Sequence, residues 1–321
     1  MIPFAIAGVQ MHVSATESNL EAMSAQIDIA MARFPWVQMV MFSELAPFGP
    51  LMHNIQTLPG PAEAAFCEMA ARHGIWLVPG SMFERDGESV YNTASVIDPT
   101  GTVVGRHRKL FPFAPYEQDV DSGKDFLVFD VPDVGRFGVS ICYDMWFPET
   151  TRTLVSMGAE VILHPTLTNT IDRDVERAIC RASAAMNQCY MIDINGIGSG
   201  GVGRSFIADP SGHVLYESGG GPEIIPVEVD LARVRRERET GLRGLGQPLK
   251  SFRDRKVEFP VYDRALPQHP YLSTLGPLAM PVRGSKAGVG ALEPKTSEQP
   301  AITDVAEIVD FPIHPQGETG T

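Results

Sequence analysis

Strand-sized apolar runs alternate with helix-like segments between residues 4 and 195, and this alternation restricts the fold more than any other feature of the chain. Pro61 and Pro148 stand where the first turn of a helix accepts proline, and apolar residues recur at helical spacing elsewhere. Strands that alternate with helices predict an α/β fold whose sheets are largely covered on both faces. The predicted strands are 4–10, 36–42, 75–82, 136–142, 159–164 and 189–195, and the predicted helices are 17–33, 61–73, 148–157 and 173–187.

Two predicted hairpins, 91–107 and 204–216, interrupt this alternation. Each places D-P-x-G between β-rich runs, where proline presets φ and glycine tolerates a positive φ. We interpret their shared pattern as two uses of one turn rather than as an internal repeat.

Composition excludes several classes of protein. Of the 321 residues, 44% are hydrophobic and 20% charged, so the chain can bury a large core and is neither disordered nor a coiled coil as a whole. Apolar runs of strand length predict no membrane span, and the first residues lack the basic segment of a signal peptide. The net charge of −13 disfavours binding to nucleic acid or to an anionic membrane. Four cysteines are too few for a disulfide scaffold, so we expect reduced thiols, a cytoplasmic location and no metal site.

The composition changes near residue 265. Residues 265–321 contain eight prolines and six glycines without a sustained helical period. We therefore predict a compact domain over residues 1–264 and a Pro/Gly-rich C-terminal extension over 265–321. The extension is either a free tail or an extended arm that lies on its own body or on a partner subunit.

Cys142 is the most informative single residue. It ends the apolar run R-F-G-V-S-I-C and precedes Pro148, which can open a helix. A thiol at the carboxyl end of a strand lies where α/β proteins place reactive groups, and a nearby helix N-terminus favours the thiolate. Taken alone, such a cysteine is more often a buried structural residue. Cys67, Cys180 and Cys189 fit that structural role because they lie inside helical or strand patterns.

Three charged residues are further candidates. Glu44 follows an apolar strand, where desolvation raises the pKa of a carboxyl group and suits it to a general base. Lys109 ends the basic stretch R-H-R-K before apolar residues, where an ammonium group can stabilise an oxyanion. Glu117 lies in a predicted loop between Lys109 and Cys142. Each residue alone is also explained as an ordinary surface charge.

Taken together, these residues and their surroundings resemble the nitrilase (carbon–nitrogen hydrolase) superfamily. The resemblance covers about residues 4–262 and excludes the C-terminal extension. The matching segments are A-I-A-G-V-Q-M, F-S-E-L at Glu44, R-H-R-K-L at Lys109, G-V-S-I-C-Y-D at Cys142, P-E-x-x-R at 148–152, G-A-E-V-I-L-H-P-T at 158–166, N-G-I-G at 195–198, R-S-F-I-A-D-P-S-G and V-E-V-D-L.

The resemblance implies an αββα four-layer sandwich, two copies of which commonly pack face to face, so we expect a homodimer or higher homo-oligomer. It implies Cys142 as nucleophile, Glu44 as base, Lys109 as oxyanion stabiliser, and Glu117 as a residue that positions the substrate and the lysine. The backbone N–H of Tyr143 is a second oxyanion donor in this scheme. No cofactor and no metal are required.

The motifs also rank the reactions. Tyr143 and Asp144 follow the cysteine, whereas Trp-Glu is usual in sequences that resemble true nitrilases. The segment 146–149, W-F-P-E, resembles branches that hydrolyse N-carbamoyl amines, but it lacks the arginines that carbamoyl amino acid hydrolases typically use to hold a carboxylate. We therefore expect an amidase first, an N-carbamoyl amide hydrolase second and a nitrilase third, each acting on a small-molecule amide, ureido compound or nitrile.

Aromatic residues near the candidate site have two interpretations. Phe113, Tyr116, Tyr143 and Trp146 either line an apolar substrate pocket or pack around the catalytic loops. A different class of function also stays open, in which the chain is a non-catalytic scaffolding member of the superfamily.

Two further motifs are judged not to carry function. Residues 196–201 satisfy G-x-G-x-x-G, but a strand and a turn follow instead of a helix, so a tight loop is expected rather than a nucleotide site. The run R-V-R-R-E-R-E at 233–239 is interpreted as a solvated helix face.

Overall fold

A computed structural model describes residues 2–114, 116–262, 271–275 and 278. The chain divides into a body, Met1–Glu258, and a second unit, Phe259–Thr321. The predicted boundary at residue 264 and most of the predicted extension lie outside the described residues. The described part of the second unit contains two short 3-10 helices, Pro260–Tyr262 and Leu272–Thr274.

The body is built from strands and helices that alternate for most of its length. Its strands, numbered along the chain, are β1 (Pro3–Gln10), β2 (His12–Val13), β3 (Met39–Phe42), β4 (Trp76–Val78), β5 (Met82–Asp86), β6 (Ser89–Ile97), β7 (Val103–Arg108), β8 (Leu127–Val131), β9 (Gly135–Val139), β10 (Val161–Thr166), β11 (Tyr190–Asn195), β12 (Ile197–Gly198), β13 (Gly201–Val202), β14 (Phe206–Ala208), β15 (Val214–Glu217) and β16 (Glu223–Asp230). Its helices are α1 (Leu20–Arg33), α2 (Pro61–His73), α3 (Pro148–Ser156), α4 (Arg173–Asn187), α5 (Leu231–Thr240) and α6 (Pro248–Arg253), with short 3-10 helices at Met52–Asn54 and Cys142–Trp146.

The strands form two main sheets. The larger sheet has the order β16-β1-β3-β4-β6-β5, with β7 also paired to β6, and the smaller sheet has the order β15-β14-β11-β10-β9-β8. The central pairs β1–β3, β3–β4, β9–β10 and β10–β11 are parallel, and the outer pairs are antiparallel. A short ribbon, β13-β12-β2, lies beside them.

Alternating side chains place each sheet between two cores. Phe4 and Ile6 of β1 enter a core shared with Phe137 and Val139 of the smaller sheet, so the two sheets pack face to face. Val9, on the opposite face of β1, packs with residues of α1 and α2. The outer face of the smaller sheet packs on α3 and α4. The result is the predicted αββα four-layer sandwich, which confirms the fold class.

Most predicted elements are present with small shifts of their ends. The predicted strand 75–82 is the exception, because β4 ends at Val78 and a new strand begins at Met82. Both D-P-x-G segments form the same turn, in which the backbone N–H of Gly101 donates to Asp98 O at 2.9 Å and that of Gly212 donates to Asp209 O at 2.8 Å. Among the described residues, no helix is long and apolar enough to cross a membrane.

Candidate active site

The candidate residues follow the carboxyl ends of strands from both sheets. Glu44 follows β3 and Lys109 follows β7 of the larger sheet, whereas Cys142 follows β9 of the smaller sheet. The backbone N–H of Glu44 donates to Thr166 O at 3.2 Å, and this bond joins the two sheets beside the site. Glu44, Lys109 and Cys142 therefore converge across two facing sheets rather than along the edge of one sheet.

Glu44, Asn92, Lys109 and Glu117 form a group that we call the lysine cluster. The ammonium Nζ of Lys109 donates to Glu44 Oε1 at 2.8 Å and to Glu117 Oε2 at 2.7 Å. The side-chain amide of Asn92 donates to both glutamates, at 2.9 Å each. Lys109 is only 2% exposed and Glu44 only 3%, so the ion pairs are shielded from water.

Burial and charge shift the protonation equilibria of the cluster. Burial raises the pKa of Glu44. The positive charge of Lys109 lowers this pKa, and the negative charge of Glu117 raises it further. For Lys109, burial alone would lower the pKa, but the attraction of Glu44, Cys142 and Glu117 raises it well above its ordinary value. Lys109 therefore stays charged, while Glu44 is a stronger base than a carboxylate in water.

Cys142 has an unusual backbone conformation. Its φ is +46°, a left-handed value that costs a non-glycine residue conformational energy and that recurs at functional sites. The residue opens the 3-10 helix Cys142–Trp146, and its Sγ lies 3.9 Å from Thr168 Oγ1. The strained turn presents the thiol at the point where β9 ends.

The sequence predicts that a nearby helix N-terminus favours the Cys142 thiolate, and the surroundings of the thiol act in the opposite direction. Burial raises the pKa of the Cys142 thiol well above its ordinary value, and the charge of Glu44 raises it further, whereas Lys109 opposes both. The thiol and the Glu44 carboxyl group thus compete for one proton.

Asp144 connects the cysteine turn to the segment that carries Lys109. It is fully buried, and its Oδ1 accepts hydrogen bonds from the backbone N–H groups of Leu110 and Phe111, at 2.9 Å each. Its Oδ2 accepts from Ile141 N at 3.0 Å and lies 3.1 Å from His107 Nε2. One carboxylate therefore fixes the spacing between the loops that hold Cys142 and Lys109.

Thr168, Arg173, Glu176 and Asp193 form a second buried group, which we call the arginine cluster. The guanidinium of Arg173 contacts Glu176 Oε2 at 3.2 Å and Asp193 Oδ2 at 2.7 Å. Thr168 Oγ1 donates to Glu176 Oε1 at 3.0 Å and is the same atom that approaches Cys142. Burial raises the pKa of both Glu176 and Asp193, and Arg173 opposes the shift in each case.

Two cavities meet at Cys142. One, of about 540 Å³, is lined by Glu44, Lys109 and Glu117 together with apolar residues such as Leu51 and Phe83. The other, of about 350 Å³, is lined by residues that include Thr168, Asp172 and Glu176. We call them the Glu44 lobe and the Glu176 lobe. Phe113, Tyr116 and Leu167 line both lobes.

The four predicted aromatic residues lie together around these lobes. The ring of Phe113 lies 5.6 Å from that of Tyr116 and 5.0 Å from that of Tyr143, measured between centroids. Tyr143 in turn lies 6.0 Å from Trp146. Tyr143 and Trp146 line the Glu176 lobe only. The rings therefore pack on one another and also face the cavity, so the two interpretations are compatible.

Several residues of the site had no motif to reveal them. Asn92 lies in the middle of β6, and its only sequence signal is an amide inside a buried strand. Asp193 gives a similar signal, as a charge inside the apolar run of β11. Glu176 gives none, because helix α4 has many exposed charges. Among the described residues, no group of three His, Cys, Asp or Glu is arranged to hold a metal ion.

Curated relatives match the chain over most of its body. A nitrilase from Pyrococcus abyssi is 31% identical over 269 residues, which span 79% of this chain and 98% of the relative. A 2-oxoglutaramate amidase from Bacillus subtilis is 31% identical over 56% of this chain and 71% of its own length. An N-carbamoylputrescine amidase from Solanum lycopersicum is 30% identical over 58% of this chain and 70% of its own length.

Solved structures of related proteins are also similar to this chain. Saccharomyces cerevisiae Nit3, a member of branch 10 of the nitrilase superfamily, is 26% identical with a TM-score of 0.68, and the match covers 74% of this chain and 93% of that one. A Glu-to-Gln variant of the amidase from Nesterenkonia sp. AN1, with the acetamide moiety of fluoroacetamide covalently added to its active-site cysteine, is 25% identical with a TM-score of 0.62, over 75% and 95% of the two chains.

The fold of this chain is shared with solved structures of the nitrilase superfamily. Residues 5–239 match the carbon-nitrogen hydrolase family, and the chain belongs to that family.

Proposed function

We propose that the protein is an amidase that cleaves the non-peptide carbon–nitrogen bond of a small amide through a thioester on Cys142. The single observation that carries the proposal is the buried lysine cluster beside the thiol, at the floor of a cavity. Glu44 has a raised pKa that suits a base, and Lys109 keeps its charge. The site thus combines a nucleophile, a base and an oxyanion stabiliser within one cavity.

In the first half-reaction, Glu44 accepts the thiol proton and the Cys142 sulfur attacks the carbonyl carbon. The carbonyl oxygen becomes an oxyanion that Lys109 and the backbone N–H of Tyr143 stabilise. When the oxyanion re-forms the carbonyl, the carbon–nitrogen bond breaks, and Glu44 returns the proton to the nitrogen, which leaves as ammonia or an amine. A thioester on Cys142 remains.

In the second half-reaction, water occupies the position that the amine has left. Glu44 accepts a proton from this water, and the water oxygen attacks the thioester carbon. The carbon–sulfur bond breaks, the acid leaves, and Glu44 returns the proton to Cys142. Glu117 and Asn92 hold the cluster in place throughout, because Glu117 accepts hydrogen bonds from both Lys109 and Asn92.

The relatives support amide cleavage. Three of the proteins described above are called amidases, and a variant of the Nesterenkonia amidase carries a covalent adduct on its cysteine. The runner-up is hydrolysis of an N-carbamoyl amine, which the segment 146–149 and the similarity to an N-carbamoylputrescine amidase favour. Hydrolysis of a nitrile is third, supported by the similarity to the Pyrococcus abyssi nitrilase.

An ammonia-release screen over small amides, ureido compounds and nitriles tests the proposal, with Cys142→Ala as the blank. We expect amides to be hydrolysed and Cys142→Ala to be inactive but folded. Cys142→Ser should be nearly inactive, because a carboxylate is too weak a base to activate a hydroxyl group. Amide turnover that persists in Cys142→Ala would refute the thioester, and activity confined to nitriles would refute the amidase assignment.

We also propose a homo-oligomer, at least a dimer, as members of this superfamily often form. Light scattering coupled to size exclusion tests this on the full chain and on a chain that ends at residue 264. A mass of 35.0 kDa for the full chain would contradict the proposal.

A further inference from the structure

The charged side chains that line the two lobes are mostly carboxylates. Of the described residues that line the two lobes, Glu44, Glu117, Asp172 and Glu176 are carboxylates, and Lys109 is the one cation. Lys109 already contacts two of those carboxylates at 2.7–2.8 Å, so its charge is neutralised inside the Glu44 lobe. The Glu176 lobe has two carboxylates and no lining cation within the described part of the chain.

The charges behind the wall of this lobe do not cancel its negative potential. Arg173 is a single cation that contacts two carboxylates, Glu176 and Asp193. Asp193 Oδ1 is buried and has no hydrogen-bond partner among the described residues. The arginine cluster therefore carries one excess negative charge when both carboxyl groups are ionised. The positive end of helix α4 also points this way, but Asp172, Asp174 and Glu176 offset it.

The remaining wall of the lobe is aromatic. Tyr143 and Trp146 line it with ring centroids 6.0 Å apart, and Phe113 and Tyr116 extend the aromatic surface toward the Glu44 lobe. The indole N–H of Trp146 points to Glu176 Oε1, at 3.5 Å. Aromatic faces attract cations through the ring quadrupole, and they attract ammonium groups most strongly where water is excluded. Carboxylates and aromatic faces together make a surface that prefers a cation.

We propose that the Glu176 lobe binds an ammonium group of the substrate, so that the preferred substrate is a small amide with a primary ammonium group at the end of its chain. The inference rests on the proposed amidase function. A substrate carboxylate would meet Glu176 and Asp172 without a counter-ion, whereas an ammonium group gains a carboxylate and an aromatic face. Glu176 is thus the residue that sets the charge preference.

Three matched amides test the charge preference. They are hexanamide, its analogue with an ammonium group in place of the terminal methyl, and an analogue with a carboxylate there. We expect kcat/KM to be highest for the ammonium amide, on the order of 10–100-fold above hexanamide, and lowest for the carboxylate. Added salt should reduce the difference. An equal rate for the ammonium and methyl amides, or a carboxylate amide that reacts fastest, would overturn the proposal.

Variants that each remove one negative charge show which residue sets the preference for the ammonium amide. Glu176→Gln should lower the ratio of kcat/KM for the ammonium amide to kcat/KM for hexanamide at least about tenfold. Asp172 is half-buried at the rim of the lobe, and Asp172→Asn should lower the same ratio about threefold. Asp174→Asn is the matched control, because Asp174 lies on the same helix, pairs with Arg204 and Arg177, and does not line the lobe. A ratio that changes equally in all three variants, or in none, would overturn the assignment to Glu176.

A binding measurement separates this proposal from the amidase proposal. Thermal unfolding of Cys142→Ala protein is followed with butylammonium, butyrate or butanol, none of which can be hydrolysed. We expect butylammonium alone to raise the unfolding temperature, and Glu176→Gln in the same background to abolish the rise. If butylammonium binds but the wild-type protein hydrolyses no amide, the ammonium site is supported and the amidase proposal fails. Butyrate that binds more tightly would overturn the ammonium site, whatever the activity.

Discussion

The lysine cluster and the arginine cluster have the same charges but different surroundings. Each has one buried cation between two carboxylates, and each lies next to Cys142. The lysine cluster opens directly into a cavity, and its charged members come from the ends of strands and from a loop. The arginine cluster is anchored on helix α4 and strand β11, and Arg173 also donates to the backbone carbonyl of Arg204 at 2.8 Å.

The difference shows how one charge arrangement can serve reactivity or rigidity. A lysine ammonium is a compact charge with three rotatable donors, so Lys109 can turn from its glutamates toward a developing oxyanion. The planar guanidinium of Arg173 fixes its partners in a fork and keeps their geometry. We therefore expect changes in the lysine cluster to affect mainly the rate, and changes in the arginine cluster to affect mainly the stability and the charge preference.

The largest expected effect comes from a matched pair of isosteric substitutions. Glu44→Gln should lower kcat at least about 10³-fold, because the amide keeps the shape of the side chain but cannot move a proton. Asp193→Asn should change kcat less than about tenfold and should cost about 1–3 kcal/mol of unfolding free energy. Steady-state kinetics and urea unfolding measure both. Similar losses of rate in the two variants would break the distinction between the clusters.

Removal of the cations should destabilise the protein in both clusters. Lys109→Met and Arg173→Met each leave two carboxylates without a counter-ion, at least one of them buried, which should cost about 3–5 kcal/mol of unfolding free energy. Only Lys109→Met should also lower kcat by about 10²-fold or more in the folded protein. Exposed Arg72→Met is the control and should cost less than about 1 kcal/mol. A Lys109→Met protein with an unchanged kcat would contradict the oxyanion role.

A smaller effect is expected at Asp144, which aligns the lysine cluster with the thiol. Asp144→Asn replaces an acceptor by a donor opposite the backbone N–H groups of Ile141, Leu110 or Phe111. A shift of Cys142 relative to Lys109 should lower kcat about 10²-fold while KM changes little. Kinetic constants and thermal unfolding should be measured together, since a loss of stability with full kcat would assign Asp144 to folding alone.

The smallest effect concerns His164, a buried residue near the arginine cluster. Burial lowers the pKa of His164 to about 4, from about 6.5 in the unfolded chain. Between these values the unfolded state binds a proton that the folded state excludes, so stability falls as the pH falls through this range. The contribution is about 1 kcal/mol at pH 5.5. Urea unfolding at pH 7.5 and 5.5 should therefore differ less in His164→Asn, and an equal difference in both proteins would contradict the shift.

The two clusters also show what could be predicted from the sequence. Glu44, Lys109 and Cys142 each follow a strand-sized apolar run or a short motif, so local pattern and family resemblance indicate them. Strand and helix positions were predictable for the same reason, because the apolar period is local. Arg173 of helix α4 pairs with Glu176 of the same helix and with Asp193 of strand β11, and no local sequence pattern relates that helix to that strand. The two facing sheets were indicated by the family resemblance alone.

The pairing of β1 with β16 has a consequence for how the protein is made. The backbone N–H of Ile2 donates to Asp230 Oδ1 at 2.9 Å, across 228 residues of chain. Strand β1 is synthesised first, yet its outer edge is covered only when β16 has left the ribosome. Contacts so distant along the chain fold slowly, and an open strand edge invites pairing with other chains. Dependence on chaperones should therefore persist until β16 has emerged from the ribosome.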